Sequence, residues 1–408
     1  MALFAILVLM ALIVFIGVLG ELFFSKTRIP DVLWLVLIGI VIGPVLGLAD
    51  TPILESFLPL FSAFAIIIIL FEGGLHFNLY TIIKNTPKSL LLALVSYTLS
   101  ATATAVVYII LGVFGFVQGV TVFNAAILGC ILGGTSSLVV MPLVSKAKLK
   151  KKTESILSIE SAFTDVLAVV IVIALIRIAT MPEANPGQTL LKGIAASFSI
   201  AILFGVIAGI IWLYVLRFFE KKARNFSHHY MLTFSFLLLL YAFIDFVQGS
   251  PALGILAFGL VLGNSREIGK ILKLKKQIKL EKSVTEFNSQ ISFFVKTFFF
   301  ALIGLLFPWN ALMIATGSIL ALTLMPVRFI AVKTALSREH ISKQQLKVMS
   351  ALIPRGLAAA VLAIMPAQAG IAGTESFPGY VFTAIVATIV ITTIGFYFFG
   401  KERQKPKA

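Results

Sequence analysis

The sequence has little charge and almost no cysteine. Only 12% of its 408 residues are Asp, Glu, Lys or Arg, about half the share found in a typical soluble domain. A soluble globular protein needs a polar surface, so this composition excludes that class. The single cysteine, Cys130, excludes an internal disulfide, and we interpret it as a small packing residue within an apolar run.

The sequence is instead rich in apolar residues. Hydrophobic residues make up 59% of the chain, and its mean hydropathy is +1.06. Apolar runs of roughly 17–25 residues are long enough to cross a bilayer as helices. We therefore predict an all-α polytopic membrane protein. No basic segment precedes the first run, so we expect a first span there and not a cleaved signal peptide. Thirteen transmembrane helices are predicted, at about 2–24, 31–48, 57–75, 88–115, 122–145, 153–179, 191–217, 229–247, 251–264, 288–307, 311–333, 346–369 and 377–400.

The distribution of Lys and Arg predicts how these helices are oriented. The loops on one side, together with the C-terminal tail, hold 28 of the 33 basic residues, whereas the other loops hold only Arg177 and Lys192. Basic residues collect in cytoplasmic loops. We therefore expect an inner-membrane protein with its N-terminus outside and its C-terminus in the cytoplasm. These loops also account for the net charge of +16, so we predict a lipid bilayer and no nucleic acid as partner.

We predict one transmembrane domain over residues 1–408, built from an inverted repeat. Repeat one covers about 2–179, a linker helix about 191–217 and repeat two about 229–400. Only eight residues follow Gly400, so we expect no soluble regulatory domain. Inverted repeats are typical of secondary transporters, whose binding sites lie where broken helices meet near the membrane midplane.

Two predicted spans contain residues that weaken a helix at matching positions of the two repeats. The fifth span contains "LGGTSSLVVMPL", and the twelfth contains "ALIPRGLAAAV". Paired glycines lower helix stability, and proline removes a helical hydrogen bond. We therefore predict that both helices are broken.

Charged residues within the predicted spans are expected to be functional or paired, because each costs about 2.5–3.5 kcal/mol at bilayer depth. Counting along the helices at about 1.5 Å per residue, Glu160 and Arg328 lie at one depth. We predict that they form a structural ion pair, and the alternative is that Glu160 titrates during transport.

Asp165 is expected near the midplane, with no cation at its own depth. Ser161 lies one helical turn before it and Thr164 beside it. Carboxylate, hydroxyl and unwound carbonyl oxygens are ligands that suit an alkali cation. We therefore predict that Asp165 binds either a cation or a proton, and this competition would couple the two fluxes. The alternative is an aspartate that is hydrogen-bonded to helix ends and has only a structural role.

Three further charged residues lie in the predicted spans, and the sequence predicts their roles less precisely. Lys296 either pairs with Asp165 when no ion is bound, or reaches the cytoplasmic surface or a structural partner instead. Glu72 either lines the inner entrance or is a simple interfacial residue. Arg355 lies on the twelfth span, where we expect it to satisfy freed carbonyls and to shape the cytoplasmic funnel.

The sequence resembles the monovalent cation:proton antiporter superfamily, and within it the sodium/proton exchanger family. The resemblance rests on "RIPDVLWLVLIGIVIGPVLGL" (28–48), "LFEGGLHFNL" (70–79), "ESAFTDVLAVV" (160–170) and "PRGLAAAVLA" (354–363). It implies a homodimer, a six-helix core around two crossed broken helices, and elevator-like alternating access. It also implies that Asp165 binds the ion and proton, that Glu160 and Arg328 stabilise the core, and that Ser161, Thr135 and Ser136 contribute cation ligands.

The predicted function is secondary active exchange of sodium, potassium or both for protons, which involves neither an enzymatic reaction nor a cofactor. We expect exchange to be electroneutral, because Asp165 alone is expected to cycle between cation and proton. Electroneutral relatives carry Asn-Asp where this chain has Thr164-Asp165, and many sodium-specific relatives carry Asp where it has "TSS" (135–137), which leaves potassium transport open. The alternatives are a cation channel and an electrogenic antiporter that uses Lys296 as a charge carrier.

Overall fold

The computed structural model describes residues 11–22, 30–47, 51–76, 87–146, 149, 151–180, 188–222, 229–271, 282–337 and 342–399. Within these ranges all regular secondary structure is helical, so the predicted all-α class is confirmed. The helices are α1 Ala11–Leu22, α2 Asp31–Ile40 with a π-turn Val41–Val45, α3 Thr51–His76, α4 Pro87–Val113, α5 Val122–Ile131, α6 Ser137–Lys146, α7 Lys151–Thr180, α8 Gln188–Lys222, α9 His229–Phe246, α10 Pro251–Gly263, α11 Ser265–Ile271, α12 Lys282–Leu305, α13 Ala311–Ala335, α14 Lys343–Ala351, α15 Leu357–Gln368 and α16 Phe377–Phe399.

Each predicted span coincides with one of these helices or with a consecutive pair of them. Among the described residues, α4, α7, α8, α13 and α16 contain stretches long and apolar enough to cross a membrane, and several other apolar helices are shorter. The count of thirteen crossings stays a prediction. The short helix α11 lies outside the predicted spans, in the basic segment that the hydropathy pattern assigns to a loop.

The two predicted helix breaks are present. The first break, residues 132–136, separates α5 from α6, and the second break, residues 352–356, separates α14 from α15. In the first break, a Cβ on Gly133 would lie 2.8 Å from the Tyr97 ring, and one on Gly134 would lie 2.7 Å from the Thr164 carbonyl oxygen. These glycines therefore let the unwound backbone approach the neighbouring helices closely. In the second break, Pro354 has no amide hydrogen and disfavours helix in the residue before it.

The chain packs as two compact units. The first unit comprises Met1–Pro59, Thr86–Ile176 and Lys296–Ala408, and the second comprises Leu60–Asn85 and Arg177–Val295. The first unit therefore takes helices from both predicted repeats and contains both breaks. Within it, α4 packs against α5 and α13, α13 against α14 and α16, and α15 against α5 and α16.

Close helix packing inside each unit depends on glycine. In the first unit, a Cβ on Gly39 of α2 would lie 2.8 Å from the Cα of Gly304 on α12, so these two backbones are almost in contact. In the second unit, Gly205 of α8 lies similarly against Gly254 of α10. Small residues allow this approach, which in membranes replaces part of the missing hydrophobic driving force.

Candidate functional site

The two breaks cross each other inside the first unit. The Ser136 amide donates a hydrogen bond of 2.8 Å to the carbonyl of Pro354. A Cβ on Gly356 would collide with the Ser136 hydroxyl, so only glycine permits this approach. The predicted crossing of two broken helices is therefore confirmed, and it brings the two predicted repeats together at a point where neither backbone is helical.

Side chains satisfy the polar backbone groups that the second break frees. Arg355 is 1% exposed, and its Nε and Nη1 donate to the carbonyls of Leu132 and Ile353 at 2.7 and 3.1 Å. The amides of Arg355 and Ile353 donate to the hydroxyls of Thr388 and Thr392 on α16 at 3.1 and 3.2 Å. Arg355 therefore donates hydrogen bonds to one carbonyl in each break. Its place in a cytoplasmic funnel stays a prediction.

Asp165 on α7 lies against the start of α6. Its Oδ2 accepts hydrogen bonds from the Ser137 amide at 2.8 Å and from the Ser137 hydroxyl at 2.6 Å. Ser137 is the first residue of α6, so its amide has no acceptor within the helix. Ser136 and Thr135 are the residues of this segment that the sequence predicts for the site, and Ser137 is not among them. The available signal was its position as the third hydroxyl of "TSS", where a half-helix begins.

Thr135, Thr164 and Ser161 are hydrogen-bonded to groups other than Asp165. The Thr135 amide donates to the Thr164 hydroxyl at 3.1 Å, and the Thr135 hydroxyl donates to Glu160 Oε1 at 3.1 Å. The fully buried Ser161 hydroxyl donates to the Ser158 carbonyl at 3.2 Å. Thr164 therefore supports the first break from α7, as Thr388 and Thr392 support the second from α16.

Glu160 and Arg328 form a bidentate ion pair. The two guanidinium nitrogens Nη1 and Nη2 lie 2.8 and 2.9 Å from the two carboxylate oxygens, and the residues are 0% and 2% exposed. Arg328 also donates to the Ser96 hydroxyl at 2.8 Å and to the Met349 carbonyl at 3.2 Å. The predicted contact thus exists, with two additional acceptors that the sequence analysis did not name. Buried charges need such a full set of partners, since the low-dielectric interior penalises an unpaired one.

Lys296 of α12 pairs with Asp31, the first residue of α2. Its Nζ lies 2.6 Å from Asp31 Oδ2, and the two side chains are 15% and 10% exposed. Of the alternatives for Lys296, the structure therefore has a structural contact and not a pair with Asp165. Asp31 is not among the predicted membrane carboxylates, although its position directly after Pro30 at the start of a span indicates that it could be one.

Glu72 lies in the second unit, on α3. Its Oε2 accepts a hydrogen bond of 2.6 Å from the Ser292 hydroxyl of α12. This contact fixes one oxygen of the carboxylate within its own unit. A role at the inner entrance stays a prediction.

The chain is similar to known cation antiporters along nearly its whole length. The sequence pattern of the family described as "Sodium/hydrogen exchanger, transmembrane" matches residues 9–400. The chain is 25% identical over 386 residues to the Na(+)/H(+)-K(+) antiporter GerN of Bacillus cereus. This alignment covers 93% of this chain and 92% of that protein. It is 28% identical over 267 residues to the K(+)/H(+) antiporter NhaP2 of Shewanella oneidensis, but that match spans 64% of this chain and 44% of the relative.

Among solved structures, the fold is similar to that of MjNhaP1, a sodium proton antiporter from Methanocaldococcus jannaschii determined at pH 8. The TM-score is 0.75 at 18% sequence identity, and the alignment covers 98% of this chain and all of that one. At this identity the likeness concerns the fold alone.

Proposed function

The chain belongs to the sodium/hydrogen exchanger family, and we propose that it exchanges sodium, potassium or both for protons by alternating access. Members of this family are secondary transporters and not enzymes, and the protein is accordingly a multi-pass membrane protein. The observation that carries the proposal is the position of Asp165. It lies, half-buried, against the start of the half-helix that follows one of two crossed breaks.

A carboxylate at such a place can couple two fluxes. Its charge is costly in a low-dielectric surrounding unless a proton or a cation neutralises it. Asp165 therefore binds one or the other in each half of the cycle. Further oxygen ligands for the cation are proposed from the neighbouring hydroxyls and carbonyls of Ser161, Thr164, Thr135 and Ser136, because hard cations prefer oxygen. This exchange needs no cofactor.

The stoichiometry that we propose is one cation for one proton. Glu160 is neutralised by Arg328, and Lys296 is neutralised by Asp31. Asp165 makes no ion pair with any residue that the structure describes. An electrogenic cycle through Lys296 would require that lysine to pair with Asp165, whereas its Nζ lies 2.6 Å from Asp31 Oδ2. The Asp31 contact therefore supports electroneutral exchange.

The proposed cation is sodium, potassium or both. GerN is named for sodium and potassium, and NhaP2 for potassium. The hydroxyl-rich "TSS" of the first break offers no second carboxylate. A site with fewer charges discriminates less strongly by field strength, which supports mixed transport.

Three finer features belong to the same proposal. We infer a homodimer in the inner membrane, with the N-terminus outside and the C-terminus in the cytoplasm, from the resemblance and from the distribution of basic residues. A passive cation channel is the remaining alternative, but a channel has no need of a carboxylate that binds protons. A flux that requires a counterflow of protons distinguishes the antiporter from the channel.

The test is transport by the purified protein in liposomes under an imposed pH gradient, with sodium, potassium and lithium as test ions. We expect cation uptake to be driven by the gradient and to be absent in Asp165→Asn, which keeps the side-chain shape. Cation flux that continues at the same rate without a pH gradient would indicate a channel. Full exchange by Asp165→Asn would refute the assignment of the site.

A further inference from the structure

The two oxygens of the Asp165 carboxylate have different surroundings. Oδ2 accepts both hydrogen bonds from Ser137, at 2.8 Å from the amide and 2.6 Å from the hydroxyl. Oδ1 makes neither a hydrogen bond nor an ion pair with any of the residues that the structure describes. Because two donors of one residue converge on one oxygen, the carboxylate is held in a single orientation.

The position of Ser137 explains why it can donate twice. It begins α6 directly after the first break, so its amide is one of the unpaired donors at a helix N-terminus. Its hydroxyl points toward the same side, and the positive end of the helix dipole favours a carboxylate there. A charged acceptor makes both hydrogen bonds short and strong.

The other hydroxyls of the site do not hold Asp165. The Thr135 hydroxyl bonds to Glu160, and the Thr164 hydroxyl bonds to the first break and to the Ser161 carbonyl at 3.1 Å. Among the described residues, the orientation of the Asp165 carboxylate therefore depends on Ser137.

We propose that Ser137 is the positioning residue of the exchange site. Its two hydrogen bonds occupy Oδ2 of Asp165, so that the carboxylate presents Oδ1 alone to the incoming proton or cation. This inference rests on the proposed function and adds to it the atom at which the competition takes place. With one oxygen left without a described donor, a proton and a cation exclude each other there, and each cycle carries one of either. The Ser137 hydroxyl keeps its two lone pairs while it donates, so it also offers the cation a second oxygen.

The experiment replaces Ser137 with Ala, which removes the hydroxyl donor and keeps the amide. The charged carboxylate then loses a hydrogen bond worth about one to two powers of ten in an equilibrium constant, so protons compete more strongly. We expect the pH of half-maximal exchange to rise by about one unit and the apparent cation KM at pH 7 to rise about tenfold. The maximal rate at alkaline pH and saturating cation should stay within about twofold.

Two variants accompany Ser137→Ala. Ser137→Thr keeps the hydroxyl and should return the pH profile toward that of the wild type. Ser145→Ala is the matched control, because Ser145 lies on the same helix and its hydroxyl donates to the Pro142 carbonyl at 3.0 Å and to no other group that the structure describes. Proton release by the detergent-solubilised protein on addition of sodium or potassium gives a second readout that does not depend on transport.

Each outcome decides the question. An unmoved pH profile and KM in Ser137→Ala would overturn the inference, and so would a lower maximal rate with an unmoved profile, which indicates a structural role. If Ser137→Ala does not fold, Ser137→Cys, a weaker donor of similar size, should shift the profile in the same direction. An unmoved profile in that variant refutes the inference. Absence of exchange in the wild type refutes the proposed function itself, whereas wild-type exchange with an unmoved Ser137→Ala profile refutes only the positioning role.

Discussion

The Glu160–Arg328 pair gives the sharpest prediction on stability. Both residues are at most 2% exposed, and two hydrogen bonds of 2.8 and 2.9 Å join them. Arg328→Met leaves Glu160 with the Thr135 hydroxyl as its remaining described donor, and Glu160→Gln leaves a buried guanidinium without its counter-charge. We expect each single change to lower the free energy of unfolding by about 3–5 kcal/mol, because the remaining charge stays buried and unpaired.

The double variant Glu160→Gln/Arg328→Met removes both charges and should regain much of that loss. Replacing a whole buried pair by neutral groups is often close to neutral in stability. The expected coupling energy in a double-mutant cycle therefore exceeds about 3 kcal/mol, which is the upper end of the usual range for residues in contact. Thermal unfolding in detergent, followed by intrinsic fluorescence, measures all four proteins under identical conditions.

The control for this cycle is an exposed cation. Lys347→Met removes an ammonium that lies 5.5 Å from the centre of the Phe399 ring at the surface, and it should cost no more than about 1 kcal/mol. Additive losses in the Glu160/Arg328 cycle would contradict the reasoning, since they would mean that neither charge depends on the other.

Three further predictions follow from the same contacts. Asp165→Asn should abolish proton-coupled exchange with an unchanged unfolding temperature, and exchange that persists in proteoliposomes would contradict the assignment. The sodium exchange rate should not respond to a potassium–valinomycin potential, and a voltage-dependent rate that disappears in Lys296→Gln would instead make Lys296 a charge carrier. Gly356→Ala should lower stability by about 1–3 kcal/mol through the collision with Ser136. Gly20→Ala, whose new Cβ would meet no atom of the described residues nearer than 3.6 Å, should be close to neutral. Equal losses in the two glycine variants would argue against the tight crossing.

The sequence was sufficient for the properties that local chemistry determines. Long apolar runs select helices in a bilayer, because lipid offers no partner for backbone polar groups. Paired glycines and Pro354 weaken a helix wherever they occur, so both breaks were predictable before any contact was known. Depth along the membrane normal follows from counting residues along a helix, and depth alone was enough to pair Glu160 with Arg328, which are 168 residues apart.

The tertiary structure decided which side chains meet at a given depth. Asp165 contacts Ser137, which lies 28 positions away in the sequence, and Lys296 contacts Asp31, which lies 265 positions away. Whether such residues touch depends on the rotation and lateral position of each helix. Close backbone packing, as at Gly39 and Gly304, sets that rotation through the shapes of many neighbours at once. Hydropathy and residue counting do not determine this rotation, and for this reason the contacts that Ser137 and Asp31 make became visible only in the folded chain.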